Sequence, residues 1–352
     1  MDNKINLNLY GHDEAEQEVL KSYNHNNLHH AWLISGPKGI GKATLAYRIS
    51  KFLFKNGASS PEEEGGLLGG MIENIEIDSL DIDTESNIHS RFNAGTITDL
   101  KIVEPDIEAG KSEITVDMIR DVNHFLSQTT AEFDWKIVVI DSADNMNRNA
   151  ANALLKSLEE PPKNTVLFLI SHSPRKLLPT IRSRCRSLQL KPLSEDNINR
   201  ILDDVEIDEN KKLIDFASKM AEGSAGMAVE LCDKDMLKLY EAIIDLLRND
   251  NLDTIAIYKF AEKFSKKDSL LLWKNMNYII MWILAEIVNF SLTGVSNNVC
   301  SEDEEEIKKA ILARKSIEDI TIIWNQVMKI ISESDNLKLD KNMTAVNLLS
   351  KL

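Results

Sequence analysis

The chain has 352 residues, a formal net charge of −15 and 43% hydrophobic residues. This length predicts about two or three domains, and the hydrophobic content is ample for their cores. The acidic balance argues against a protein that grips duplex DNA by itself, because that task needs a dense basic face. Membership of a larger DNA-bound assembly remains open.

The cysteines and the apolar runs indicate in which cellular compartment the protein is expected. Cys185, Cys232 and Cys300 lie far apart without a CxxC or a paired Cys/His spacing, which argues against a structural zinc site. A small, odd number of cysteines is typical of proteins in a reducing cytoplasm. The N-terminus lacks an apolar signal core, and the run 278–285 stops at Glu286, too short to span a bilayer. We expect a cytoplasmic protein with no metal and no membrane contact.

The first predicted elements are an amphipathic helix at 14–23 and an apolar strand at 31–34. A glycine-rich turn, 36–42, and a helical pattern over 43–54 follow. Strand, glycine loop and helix are the context in which a phosphate-loop pattern becomes a functional hypothesis. The alternative is a tight turn without a ligand. The histidine pair 29–30 precedes the strand, and a metal role for it would need a third ligand that the nearby sequence does not offer.

The glycine turn supplies the candidate nucleotide ligands. Glycines let successive N–H groups point inward, and a helix N-terminus with a lysine adds positive charge for phosphate. The position after the lysine requires Ser or Thr to hold Mg²⁺, and here it is Ala43. Thr44 is turned by about 100° on a helix, so it could touch a phosphate but is badly placed to replace the metal ligand. The candidate residues are Gly36, Gly39, Gly41, Lys42 and Thr44.

Residues 56–113 are predicted to form an irregular acidic insertion with a mobile portion. Their first part, 57–66, is rich in Gly, Ser, Pro and Glu and has the composition of an exposed linker. Order returns with a predicted helix from Thr115, its candidate N-cap, to about residue 129.

The run 137–140 is apolar throughout and ends in Asp141, the pattern of a buried parallel strand. Ligands bind at the carboxyl ends of such strands, so Asp141 is a candidate for orienting Mg²⁺ in the manner of a Walker B residue. Alternatively, it only caps the next helix. Active ATPases usually follow this Asp with Glu, whereas Ser142 stands here. A hydroxyl is not a comparable base near neutral pH.

The following pattern alternates helix and strand and then becomes wholly helical. A helix at 152–162 closes in two prolines, and a buried strand at 164–170 ends in polar residues 171–173, one of which could face a γ-phosphate. A short helix and the strand 187–190 complete this part. The later predicted helices begin at Ser194 and cover 211–220, 223 onward, 236–247, 255–264, 270–290, 304–315 and 320–333. The charge run 303–309 is expected to be a solvated helix start.

These features, in this order and spacing, resemble the AAA+ clamp-loader subunits of bacterial DNA polymerase III. The specific parts are the sequence NALLKSLEEPP at 152–162 and the Ser-Arg-Cys triplet at 183–185, which accompany the loop 36–42 and Asp141. The resemblance covers residues 9 to about 230. The C-terminal third is similar only in being helical, like the collar domain of these subunits.

The resemblance also implies that this chain has lost its own motor. Motor subunits of the family carry Ser or Thr where this chain has Ala43, Glu where it has Ser142, and a lid arginine where it has Gly226. Many members carry a four-cysteine zinc module after the loop, but 56–113 contains no cysteine. We therefore expect a weak or vestigial nucleotide site, with ATP and Mg²⁺ bound weakly if at all and without hydrolysis.

The triplet implies a different role for Arg184. In the family, this arginine enters the ATP site of the neighbouring subunit, and here Ser183 and Cys185 frame it. Such arginines neutralise charge on the transferring phosphate. The alternative is that Arg182, Arg184 and Arg186 simply solvate a helix end.

The resemblance implies an α/β P-loop domain with a parallel sheet (1–193), a small helical lid (194–235) and a helical collar for oligomerisation (236–352). It implies a pentamer with the delta subunit and the ATPase motor subunits, acting on a sliding clamp and primed DNA. Two rival functions remain. One is an active AAA+ ATPase, a motor subunit or helicase loader, in which Thr44 rescues the metal site. The other is a P-loop small-molecule kinase, which would not explain the helical C-terminal third.

Overall fold

The computed structural model describes residues 8–57, 77–83, 85–105, 112–205, 210–248, 254–265, 269–295, 300, 304–337 and 339–352. The chain divides into two compact units, one of Met1–Glu206 with Gly223–Gly226 and one of Ile207–Glu222 with Met227–Leu352. The predicted division at 193 and 235 stays a prediction. Most of the predicted linker 57–66 lies outside the described residues.

The first unit is an α/β domain. Its helices are α1 (Asp13–Asn24), α2 (Lys42–Asn56), α3 (Asn87–Asn93), α4 (Val116–Ser127), α5 (Arg148–Glu159), α6 (Pro179–Arg182) and α7 (Glu195–Asp204). Its strands are β1 (Ala31–Ser35), β2 (Leu100–Val103), β3 (Lys136–Ile140), β4 (Thr165–Ser171) and β5 (Arg186–Gln189). Short 3-10 turns lie at Ala143–Asn145 and Pro174–Lys176.

The strands form one parallel sheet in the order β2-β3-β4-β1-β5. Every residue of β1, β3 and β4 is buried, because helices cover both faces of the sheet and leave no solvent-facing side. Apolar side chains of the two faces form two separate clusters, one under α1 and α2 and the other under α4 and α5. The predicted α/β class with a parallel sheet is confirmed.

The prediction of an irregular insertion at 56–113 is wrong for its described C-terminal part. Ser86 caps α3 by accepting the backbone N–H of His89, and Phe92 on that helix is buried. The strand β2 pairs in parallel with β3, placing Leu100 opposite Ile137. An edge strand of four residues has too little periodicity to stand out in an acidic stretch.

The second unit is helical in its described residues. Its helices are α8 (Lys211–Met220), α10 (Lys234–Arg248), α11 (Thr254–Ala261), α12 (Leu270–Thr293), α13 (Glu304–Arg314), α14 (Ile317–Leu337) and α15 (Lys341–Leu349). A 3-10 turn lies at Glu262–Ser265, and α9 (Ala225–Leu231) begins in the first unit and continues in the second. The all-helical C-terminal third predicted from the sequence is confirmed.

The prediction of a solvated helix start at 303–309 is wrong for Glu304 and Lys308, which are buried. The side chains of Glu304 and Lys308 are 2% and 3% exposed, and Lys308 Nζ lies 3.4 Å from Glu286 Oε2 and 3.7 Å from Glu304 Oε2. Tyr240 donates its hydroxyl to Glu304. Burial raises the pKa of the Glu304 carboxyl. Two residues of the charge run therefore belong to a buried ionic cluster of Lys308, Glu286 and Glu304. The local sequence cannot distinguish such a cluster from a solvated face.

The helix α12 is longer than its apolar run. It continues past the buried Glu286 to Thr293 and, among the described residues, is the one helix long and apolar enough to cross a membrane. Half of its most apolar window is buried inside the protein. Trp273 and Met276 are completely buried, as in the central helix of a helical domain.

Candidate nucleotide site and arginine motif

The predicted phosphate loop joins β1 to α2. Gly39 and Gly41 have φ of +78° and +98°, a left-handed conformation that glycine adopts without a steric penalty. Gly41 is the residue immediately before α2 and has no side chain with which to cap it. The loop consequently has the backbone shape that its glycines predict, ending at a helix N-terminus where N–H groups can meet an anion.

Lys42 begins α2 and is almost completely buried, with 3% of its surface exposed. Its ammonium donates to the carbonyl oxygens of Gly36, at 2.9 Å, and of Pro37. Burial lowers the pKa of Lys42 to about 8, against the opposing effect of the Asp141 and Asp144 carboxylates. The lysine is therefore packed within its own loop and is electrostatically coupled to the end of β3.

Sheet register brings the predicted residues together. Ser35 at the end of β1 pairs with Ser171 at the end of β4, and Ile140 at the end of β3 pairs with Leu169. Asp141 therefore follows its strand at the same sheet edge as the loop. The carboxyl ends of neighbouring parallel strands are where doubly wound sheets bind ligands.

The described sheet edge also contains His172, which is partly buried. Its backbone N–H donates to Asp144 Oδ1 at 3.0 Å, and its Nε2 lies 3.4 Å from the hydroxyl of Ser142. Burial is the main cause of the lowered pKa of His172, and the charge of Lys42 adds to it. A neutral imidazole is therefore favoured at neutral pH.

Ser142 adopts a left-handed conformation, with φ +61° and ψ +50°. This conformation costs a non-glycine residue about 1 kcal/mol or more. Its hydroxyl donates weakly to Asp141 Oδ1 at 3.4 Å. The position where the family resemblance places a water-orienting Glu is therefore occupied by a short side chain turned toward its own neighbours.

A short segment, residues 223–226, contacts the loop within the same unit. Ser224 donates its hydroxyl to the carbonyl of Lys38 at 2.9 Å, and the backbone N–H of Gly226 donates to the carbonyl of Gly39 at 2.9 Å. The space is tight, because a Cβ on Gly226 would lie 3.2 Å from Gly39 Cα. The contact therefore leaves little room for a side chain at position 226.

The donor set fits a phosphate better than a magnesium nucleotide. Loop glycines, a helix N-terminus and Lys42 suit an anion. Ala43 offers no ligand, and Thr44 is partly buried in the first turn of α2. Among the described residues, no group of three or more His, Cys, Asp or Glu side chains is arranged to hold a metal ion. The loop therefore offers groups for a phosphate but no hydroxyl ligand for Mg²⁺ at position 43.

Arg184 lies elsewhere, between α6 and β5. Its Nη2 is 2.7 Å from Glu159 Oε1, and its Nη1 donates to the carbonyl of Thr180 at 2.9 Å. The hydroxyl oxygen of Ser183, the residue before it in the triplet, lies 3.5 Å from Nη1 of Arg184. Burial raises the pKa of the Cys185 thiol to about 12, which disfavours the reactive thiolate at neutral pH.

Sequence reasoning missed several of these partners. Glu159 lies in a helix-ending sequence, and Asp144 and Ser224 belong to no motif that predicts a binding site. His12 was also missed, although its Nε2–H donates to the carbonyl of Ile40 in the loop at 2.6 Å. Each of these contacts joins residues that are distant in sequence, so only weak clues, such as a polar residue after a buried strand, could have suggested them.

The parallel sheet and the glycine loop between β1 and α2 define the first unit as an α/β domain of the P-loop class. Residues 71–194 match the family described as DNA polymerase III, delta subunit. The chain is 41% identical over 157 residues to DNA polymerase III subunit delta' of Pseudomonas aeruginosa, and 33% identical over 246 residues to that of Bacillus subtilis. It belongs to the delta-prime family of DNA polymerase III subunits.

The extent of these matches differs. The Pseudomonas match covers 44% of this chain and 41% of the relative, and the Bacillus match covers 66% of each. Less than two thirds of the length of either relative is therefore spanned. DNA polymerase III subunit gamma of Buchnera aphidicola is 26% identical over 98% of this chain and 95% of its own length.

Proposed function

We propose that this chain is a non-motor subunit of the DNA polymerase III clamp loader, which loads a sliding clamp on primed DNA during replication. Its partners are the delta subunit and the ATPase motor subunits in a pentamer, and it reaches the clamp and DNA through that complex. Its location is the cytoplasm. The observation that carries the proposal is a phosphate loop of correct shape that lacks the residues for hydrolysis.

Three positions support the absence of turnover. Ala43 lacks the metal-binding hydroxyl, and Ser142 lacks the carboxylate that would position water. Gly226 contacts Gly39 through its backbone, at the position where the family's motors place an arginine. The glycines and Lys42 still offer anion-binding groups, so weak nucleotide binding without hydrolysis is the expected behaviour, and no metal is required.

An ATPase assay of the purified full-length chain tests this part of the proposal. We expect no Mg²⁺-dependent ATP hydrolysis above background. Lys42→Ala is the matched control, because it removes the loop ammonium. Turnover that Lys42→Ala abolishes would show that the chain is an active ATPase. The similarity to a gamma subunit along almost the whole chain favours that alternative, which is why this assay is decisive.

The second part of the proposal concerns Arg184. We infer that it serves as an arginine finger in the ATP site of the neighbouring motor subunit. Its side chain is 35% exposed, and the planar guanidinium of an arginine matches phosphate oxygens with several N–H donors, as such a role requires. Arginine fingers supplied by a partner are worth about 10³ to 10⁵ in rate where measured.

The test is Arg184→Ala in the complex reconstituted with the motor and delta subunits. We expect assembly of the complex to be unchanged. ATP hydrolysis at the site served by this subunit should fall strongly, and clamp loading should fall with it. Arg182→Ala is the control, because Arg182 is an exposed residue of the same helix end. Equal ATPase rates for Arg184→Ala and wild type would refute the role.

A further inference from the structure

The proposed finger is engaged on its own chain at both terminal nitrogens. Nη2 of Arg184 pairs with Glu159 Oε1 at 2.7 Å, and Nη1 donates to the Thr180 carbonyl at 2.9 Å. A guanidinium that is to bind a neighbour's phosphate must present at least one of these nitrogens to it. The Thr180 carbonyl is fixed backbone, whereas the Glu159 carboxylate is a mobile side chain. The bond to Glu159 is therefore the one that can be exchanged.

The position of Glu159 is not explained by helix stability. It is the last residue of α5, and a carboxylate at a helix C-terminus faces the negative end of the helix dipole. The side chain is 50% exposed, so it also contributes little to the core. Its evident partner is Arg184, which the turn after α6 brings beside it.

We propose that Glu159 is a latch for Arg184: it holds the guanidinium while the neighbouring site lacks a nucleoside triphosphate, and releases it when the phosphates arrive. This inference rests on the proposed function of Arg184. The pair is weak enough for exchange, since exposed ion pairs contribute little. A phosphate group competes well, because arginine binds it through charge-assisted and often bidentate hydrogen bonds.

The decisive variant is Glu159→Gln in the reconstituted complex. It preserves the size of the side chain and an acceptor oxygen but removes the charge. We expect the complex to bind a fluorescent, slowly hydrolysed ATP analogue about two- to fivefold more tightly at the site served by this subunit, the factor that an exposed ion pair can supply. The gain should shrink at high salt, because exposed charges are screened.

Two companions separate the latch from other effects. Glu160→Gln alters the adjacent exposed carboxylate and should leave the affinity unchanged. In an Arg184→Ala background, Glu159→Gln should also have no effect, because the latch acts only through the arginine. The melting temperature of the isolated chain should not change with Glu159→Gln, which excludes a folding effect.

The outcomes distinguish the latch from the function beneath it. If Arg184→Ala depresses ATPase but Glu159→Gln leaves nucleotide affinity unchanged or weakens it, the latch is wrong and the finger stands. Tighter binding that persists in the Arg184→Ala background also overturns the latch. If Arg184→Ala has no effect on ATPase, both ideas fail together.

Discussion

The backbone N–H of Gly226 donates to the carbonyl oxygen of Gly39 at 2.9 Å. A Cβ on Gly39 would lie 2.3 Å from Ser224 Oγ, and one on Gly226 would lie 3.2 Å from Gly39 Cα. The phosphate loop and segment 223–226 therefore meet backbone against backbone. The family resemblance places an arginine of the motor subunits at the position of Gly226, so this contact occupies room that such a side chain would need.

Gly39→Ala should destabilise the first unit. The new methyl group would meet the Ser224 hydroxyl. The alanine backbone would also have to keep the left-handed conformation at φ +78°, which disfavours residues with a side chain. We expect a loss of about 2–3 kcal/mol in the free energy of unfolding, measured by urea denaturation. Gly95→Ala is the matched control, because Gly95 has φ +65° but no heavy atom within 4 Å of its Cβ position. Its loss should be about 1 kcal/mol; equal losses would mean that the contact with Ser224 contributes nothing.

Lys308→Met should destabilise the second unit. Lys308 is the cation between Glu286 and Glu304, and all three side chains are at most 3% exposed. Removing the ammonium leaves buried carboxylates without that charge, and breaking such a pair costs about 3–5 kcal/mol. Lys309→Met removes the adjacent lysine, whose pair with Glu305 is exposed, and should cost less than about 1 kcal/mol. Similar values for the two variants, by urea or thermal unfolding, would contradict a buried cluster.

Asp99→Asn should loosen the loop that precedes β3. The Asp99 carboxylate is 1% exposed and accepts the backbone N–H groups of Ala131, Glu132 and Phe133 at 2.8–3.0 Å. An amide offers one acceptor oxygen and turns its NH₂ toward these donors, so we expect a loss of about 2–3 kcal/mol. Hydrogen exchange at residues 131–133 should accelerate. The control Asp117→Asn changes an exposed carboxylate and should leave that exchange rate as it is.

Lys42 should make the stability of the protein depend on alkaline pH. Its pKa is lowered by burial to about 8 in the folded chain, from 10.5. Between these values the unfolded state binds more protons than the folded state, so the free energy of unfolding rises with pH. The difference between wild type and Lys42→Met should therefore grow from pH 8 to pH 10.5, by up to about 1.4 kcal/mol per pH unit. A difference that stays constant over this range would show that Lys42 keeps its ordinary pKa.

Local patterns were sufficient for the scaffold of the site. Buried parallel strands can be recognised in the sequence as apolar runs. The strands β1 and β3 lie within one or two residues of their predicted positions. The phosphate loop was predicted because its glycines, lysine and flanking elements are contiguous. The helix start at Ser194 was also predicted, and Ser194 caps that helix by accepting the backbone N–H of Asn197. The candidate ligand Thr44 and the roles of Asp141 and Arg184 stay predictions.

Periodicity failed where an element is short or where burial depends on distant residues. The edge strand β2 has four residues, and its place in the sheet is set by pairing with β3. The helix start at Glu304 is a run of acidic residues followed by two lysines, a pattern that would suit solvent. It is buried because α10 and α12 bring Tyr240 and Glu286 onto it.

The sequence by itself determined the class of domain and the order of most of its elements, because each of these is written in contiguous residues. The tertiary structure alone decided which groups meet: Gly226 with Gly39, Glu159 with Arg184, and Lys308 with its carboxylates. The reason is physical. Backbone propensity and hydrophobic period act over a few residues, whereas ion pairs, close packing and shifted pKa values arise only when folding brings distant segments together and removes water between them.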